Sequence, residues 1–294
     1  MPLLAYWVDN LSPFIVRFGE NFGLRWYGLA YLLGFIAGGW LMMRYHRAGR
    51  SLLPAGQVAD FLIALFVGVM VGGRLGYFLL YDLDDLIYRP WALFQIWDGG
   101  MASHGGFIGV CLAVWWFSRH YRIPFLHLGD IVVTTVPAGL LFGRIANFIN
   151  GELWGKIAAV PWAVIFPKSA PPDKPIAQIP PRHPSQLYEA ALEGGLLLAW
   201  LQWRIWKTDA VRTPGRLSGE FLLGYAIVRA IGEVFREPDE GVSLILGLSR
   251  GTFYSIFVAI AGIVLIVRAA RMRPAPPAGG PARPPAPGTP GSGG

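Results

Sequence analysis

Seven times along this chain an apolar run recurs that is long enough to cross a bilayer: Leu24–Arg44, Gln57–Tyr81, Trp91–Phe117, Leu126–Ala146, Gln186–Trp206, Leu217–Phe235 and Gly251–Val267. A helix needs about 20 residues to cross the hydrocarbon core. In lipid only helices and closed barrels satisfy every backbone N–H and C=O. The runs are continuous rather than alternating, which selects helices over a barrel. The fold class is therefore an all-α polytopic membrane bundle of about seven transmembrane spans. The third run is the least regular. Its stretch from Asp98 to Gly106 is polar and Gly-rich, as in a re-entrant or broken helix.

Composition agrees. Of 294 residues, 54% are hydrophobic and 15% charged, too few charges to cover a soluble domain of this length. The net charge of +7 suits the positive-inside rule better than nucleic-acid binding. The connections after spans 1, 3 and 5 and the C-terminal segment hold 13 Lys and Arg, the opposite side 8, three of those in one long loop. The rule thus expects the N-terminus outside and the C-terminus in the cytoplasm. Three regions follow: an outer segment over 1–23, a transmembrane domain over 24–270 with an outer loop at about 151–185, and a Pro/Gly-rich tail over 271–294. That tail cannot bury a core and should be disordered. The start of the chain lacks a basic n-region, so no removable signal peptide is expected. The single Cys111 sits in an apolar run and reads as a small buried hydrophobe.

Charges inside a membrane are costly and usually functional. With that topology, Arg74, Arg144, Arg229, Glu189, Glu193, Glu233, His104 and Tyr27 all fall at the outer ends of their spans. Asp60, Asp130 and Glu220 lie at inner ends, where a helix start favours an acid. Ion pairing alone is a poor reason to bury three guanidiniums at one depth. Arginine's planar fork matches phosphate oxygens, and a lipid headgroup is the anion at that depth.

The most specific string is Gly143-Arg144-Ile145-Ala146-Asn147-Phe148-Ile149-Asn150-Gly151-Glu152-Leu153-Trp154-Gly155. With it come Trp26-Tyr27-Gly28, Gly73-Arg74-Leu75-Gly76-Tyr77, Ser103-His104-Gly105-Gly106 and His183-Pro184-Ser185-Gln186-Leu187-Tyr188-Glu189. A last group is Tyr225, Arg229, Glu233 and Arg236-Glu237-Pro238-Asp239. In order and spacing, from about residue 20 to 270, these segments resemble the prolipoprotein diacylglyceryl transferase family. Ala146 stands where glycine is also common in that family, a small departure. The resemblance implies a multi-pass enzyme of the bacterial inner membrane with its site toward the periplasmic leaflet. It implies transfer of a diacylglyceryl group from phosphatidylglycerol to the thiol of a lipobox cysteine, releasing glycerol phosphate. The implied partners are phosphatidylglycerol, the lipobox-containing signal peptides of prolipoproteins and the bilayer.

That chemistry needs an anion clamp for the leaving phosphate, a base for the thiol and exclusion of water. Arg144 and Arg229 are the clamp candidates. Tyr225, Arg229, Glu233 and Arg236 recur on one helix face, and Glu233 either reacts or orients an arginine. His104, flanked by Gly105 and Gly106, is the candidate base near neutral pH; the bland alternative is a helix-packing histidine. A free thiol is already partly ionised, so a strong base is not obligatory. Tyr27 completes the catalytic candidates. Asn147, Glu152, Tyr225, Arg236, Arg74, Gly105, His183 and Glu189 join the two arginines as lipid-binding candidates. No metal-ligand string or nucleotide loop is present, so neither metal nor cofactor is expected, and the chain is taken as a monomer. The rival reading is a lipid transporter or scramblase, which would place polar groups near the midplane and usually duplicate a half. No internal repeat is visible.

Overall fold

The computed structural model describes residues 6–19, 22–95, 99–238, 245 and 247–274. Asp98, Asp239 and the tail over 275–294 lie outside the described residues. Helix α1, Trp26–Arg47, ends in Arg44 and Arg47, cations that complement the negative end of its dipole. Helix α2, Val58–Tyr81, follows Pro54 and carries Asp60 in its first turn. A short α3, Leu83–Tyr88, comes next. Helix α4 spans Ser103–Tyr121 and stops where Arg122 adopts φ 56°, just before Pro124. Helices α5, Phe125–Val133, and α6, Val136–Ile149, are joined at Thr134 and Thr135. Those hydroxyls bond back to Ile131 O and Val132 O, both at 2.8 Å.

Helix α7, Ser185–Glu189, runs through a π-helical stretch, Ala190–Leu196, into α8, Leu197–Lys207. Helix α9, Arg216–Phe235, begins after Gly215, whose φ of 93° suits glycine. Its first turn is capped from another helix: Asp130 of α5 accepts from Gly215 N at 2.8 Å and from Ser218 N and Oγ at 2.7 Å. Helix α10, Arg250–Ala270, is capped by Ser249, which accepts from Thr252 N at 3.1 Å.

Among the described residues, four helices are long and apolar enough to cross a membrane: Trp26–Arg47, Ala55–Tyr81, Phe125–Ile149 and Arg250–Ala270. Their outward apolar side chains, such as Ile36, Ile63, Ile256 and Val264, are exposed, as a lipid-facing surface requires. The chain is a multi-pass helical membrane protein. The third run starts later than its hydropathy suggests. Pro90–Phe94 forms a 3-10 turn, residues 99–102 are not helical, and α4 begins only at Ser103. Two small strand pairs, also unforeseen, tie the non-helical segments. β1, Trp7–Val8, runs parallel to β4, Val164–Ile165. β2, Phe14–Arg17, and β3, Gly23–Arg25, form an antiparallel hairpin ahead of α1.

The densest apolar core, with Tyr45, Phe61, Phe117, Leu128, Leu201 and Ile205, sits at the end of the bundle where α1 finishes. Between α2 and α4 the backbones nearly touch. A Cβ on Gly105 would lie 2.8 Å from Gly76 Cα, and one on Gly109 would lie 3.0 Å from Gly72 Cα. Small residues let membrane helices approach this closely. Gly105 thus lies in the tight contact between α2 and α4.

Candidate functional site

The signature string forms the last turns of α6 and the chain reversal after it. Gly151 and Leu153 take φ of 61° and 57°. This turns Glu152 back so that its Oε1 accepts from Asn147 Nδ2 at 2.7 Å and from Asn150 Nδ2 at 3.3 Å. The start of α7 is sewn to the same turn. Gln186 Nε2 donates to Glu152 O at 2.6 Å and Ser185 Oγ to Leu153 O at 3.0 Å. Gly155 sits so tightly between His183 and Phe235 that a Cβ would lie 2.6 Å from the Phe235 carbonyl oxygen. The long loop is thus clamped over the end of α9.

His183 belongs to that clamp. Trp162 Nε1 donates to Tyr188 Oη at 2.6 Å, and Tyr188 Oη lies 3.1 Å from His183 Nδ1. The direction of that second bond follows the imidazole tautomer, since a hydroxyl both donates and accepts. Burial, and then the nearby Lys156 ammonium, hold the His183 pKa below the ordinary imidazole value, which favours the neutral ring.

Below the turn lies a network of three arginines and three glutamates. Arg144 Nη1 is 2.9 Å from Glu189 Oε2, and its Nη2 and Nε donate to Glu193 Oε2 at 2.9 and 3.2 Å. Arg229 Nη1 reaches Glu189 Oε1 at 3.1 Å and Glu193 Oε1 at 3.4 Å, while its Nη2 bonds Glu233 one turn along α9. Arg236 Nη1 stands 3.8 Å from Glu189 Oε1. Glu189 and Glu193 are almost fully buried, at 1% and 0% exposure, whereas Arg144 and Arg229 keep 16% and 14% of their side chains accessible. The Arg144–Glu189 contact is close but misaligned: Glu189 Oε2 has no donor in hydrogen-bonding geometry. The widened ladder of Ala190–Leu196 accompanies the pair Glu189 and Glu193, and π-helical stretches recur at functional sites.

The network stands at one end of an apolar cavity of about 470 Å³. Tyr27, Arg144 and Asn147 line its polar mouth, and Met42, Val132 and Thr135 its far end. Tyr27 Oη accepts from Tyr31 Oη at 3.5 Å. Tyr225 projects from α9 one turn before Arg229, its ring stacked on Phe221.

The structure brings together Tyr27, Arg144, Asn147, Glu152, Glu189, Arg229, Glu233 and Arg236. Arg74, His104, Gly105 and His183 stand elsewhere, Gly105 in the α2–α4 contact and His183 in the loop clamp. Arg74 directs its guanidinium to backbone carbonyls, reaching Leu93 O and Gly100 O at 3.1 Å, Ala92 O at 2.5 Å and Gln95 O at 2.7 Å, with Gly99 O as a fifth partner. It pins the segment before α4 and keeps no donor for a phosphate. His104, exposed in the first turn of α4, sets its ring edge-on to Tyr254 of α10 at 5.7 Å. No hydrogen bond or ion pair joins it to the network among the described residues. Conversely, Glu193, which bonds both clamp arginines, was not among the site candidates read from the sequence. Its signal was the Glu189/Glu193 spacing of four.

A family model described as prolipoprotein diacylglyceryl transferase matches residues 13–268. A protein of Sinorhizobium medicae named phosphatidylglycerol–prolipoprotein diacylglyceryl transferase is 45% identical over 269 residues, covering 88% of this chain and 92% of that one. The protein of the same name from Bradyrhizobium diazoefficiens is 44% identical, covering 92% and 96%. That from Idiomarina loihiensis is 44% identical, covering 93% and 99%.

Proposed function

Because the chain belongs to the prolipoprotein diacylglyceryl transferase family, we propose that it moves the diacylglyceryl group of phosphatidylglycerol onto the lipobox cysteine of a prolipoprotein. The sulfur attacks the glyceryl carbon that carries the phosphate ester. A C–S bond forms, the C–O bond breaks with its electrons passing to the phosphate oxygen, and glycerol phosphate leaves. The thiol proton departs to a base or to water.

The observation that carries the assignment of roles is the arginine–glutamate network at the mouth of an apolar cavity. Arg144 and Arg229 face the phosphate that gains charge as the C–O bond breaks. Donors already aimed at developing charge in a water-poor site stabilise the transition state without reorganising. Glu189, Glu193 and Glu233 hold the two forks in place. The misaligned Arg144–Glu189 contact is the one that an incoming phosphate would displace. The cavity takes apolar chain, with Tyr27 and Asn147 at its rim. Arg74 is left to anchor the α2–α4 connection.

In this reading all seven long helical segments cross the inner membrane of a bacterium, N-terminus outside and C-terminus inside. The network then faces the periplasmic leaflet, and the protein works as a monomer. A transporter would concentrate its polar groups near the midplane, whereas this network gathers at one end of the helices. The test is incubation of the purified protein in vesicles with labelled phosphatidylglycerol and a lipobox peptide. A thioether-linked product with one glycerol phosphate per turnover is expected. Movement of intact lipid without thioether formation would overturn the assignment.

A further inference from the structure

On the far side of the α2–α4 pair, away from the cavity just described, runs a second and larger hollow of about 780 Å³. It exists because Gly68, Gly72 and Gly76 press against Gly105 and Gly109, leaving a valley between two touching backbones. Its walls are apolar and open: Ile63, Val67, Ile108 and Leu112 are all exposed, with no other helix over them among the described residues. On α2 it reaches from Asp60 to Leu79, about 28 Å at 1.5 Å per residue. That is close to the roughly 30 Å hydrocarbon core. Asp60 closes one end, exposed and without a hydrogen bond or ion pair among the described residues. An acid in the first turn of α2 suits its dipole, but this accounts for neither its lack of a partner nor its place in the groove. At the other end, Ile108 lies one turn from His104.

Building on the transferase reading, we propose that this groove docks the apolar helix of the substrate's signal sequence, its basic leading segment set against Asp60. Signal sequences carry a cationic start, an apolar stretch of roughly 7–15 residues and then the processed site. Laid along the groove with its cations at Asp60, a helical apolar stretch at the long end of that range covers about 22 Å and brings the reacting cysteine that follows it toward the end where His104 stands. Other occupants fit less well. An anionic lipid is repelled by Asp60, and its chains reach across only one leaflet. A second copy of the chain on a two-fold axis would bring like Asp60 ends together, and the glycines that favour helix pairing are already used between α2 and α4.

The test combines crosslinking and kinetics on the full chain in phosphatidylglycerol vesicles, using a peptide with a Lys-rich start, an apolar stretch carrying a photoreactive residue, and a lipobox. Crosslinks should map to α2 and α4. Asp60→Lys should raise the peptide KM at least about fivefold, the scale of losing one charge contact at the membrane surface. Its kcat and lipid KM should stay as in the wild type. A peptide with an acidic start should recover the lost affinity. Val67→Trp, which fills the groove, should also raise the peptide KM, while Val264→Trp on lipid-facing α10 should not. Crosslinks to other helices, an unchanged peptide KM in both groove variants, or a change confined to the lipid KM would each overturn the docking assignment. Crosslinks on α2 and α4 without any thioether product would uphold the docking and overturn the transferase reading instead.

Discussion

Arg74, Arg144 and Arg229 look alike in the sequence, yet their donors meet different partners. Arg74 is saturated by the carbonyls of Ala92, Leu93, Gln95, Gly99 and Gly100, whose positions no spacing rule reveals. Arg144 and Arg229 meet carboxylates and remain partly accessible. Replacing either with Lys keeps the charge but loses the fork. Each charge-assisted bond contributes about 1.5–3 kcal/mol, so turnover should fall about ten- to a hundredfold in Arg144→Lys and in Arg229→Lys. Near-wild-type turnover in both would demote them to bundle ion pairs. His104 poses a separate question, since nothing ties it to the network. If it deprotonates the thiol, His104→Asn should lose most activity near pH 6 and recover toward pH 9. There the thiol, with a pKa of about 8.5, ionises unaided. A loss of equal size across that range would leave His104 a positioning role only. The string from Gly143 to Gly155 was legible because its polar residues bond mainly to one another and to the adjoining α7. The partners of Arg74 and Gly105 were not legible, because what they touch lies on other segments.

At the scale of elements, hydropathy located the long helices but not how they lock. The third run was drawn too early because Trp91 and Phe94 are apolar, although Pro90 and the glycines at 99 and 100 keep that segment from joining α4. The acid at 130 read as a helix-start residue of its own helix. In the fold it caps α9 instead, joining segments 85 and 88 residues apart in the chain. Asp130→Ala would leave Gly215 and Ser218 without their buried acceptor. Each unpaired buried donor costs about 1–3 kcal/mol. The midpoint of thermal unfolding in detergent should therefore drop by several degrees. Turnover measured well below that midpoint should stay close to wild type, because Asp130 lies toward the end of the bundle away from the arginines. An unchanged midpoint would mean that water or a neighbouring group takes over the cap.

For the whole molecule, the ends of the helices carry the argument. Tyr27 opens α1, His104 opens α4, Arg144 is near the close of α6, and Arg229 and Glu233 are near the close of α9. All therefore belong to one end of a bundle whose helices alternate in direction. The opposite end carries Arg44 and Arg47 in the last turn of α1, Arg119 in that of α4, and Arg204 and Lys207 in that of α8. Translocating those clusters across the membrane is disfavoured, and the count of 13 Lys and Arg against 8 points the same way. Reporter fusions after Arg50 and after Lys207 should therefore report the cytoplasm, and one near Lys168 should report the periplasm. The loop with Lys168 is the informative case. It is clamped to the network through Lys168 Nζ, which donates to Asn150 O at 2.5 Å, and through the Gly155 contact with α9. The side on which it lies is the side from which headgroup and thiol must approach. A cytoplasmic signal there, or a periplasmic one after Arg50, would invert the bundle and move the reaction to the inner leaflet.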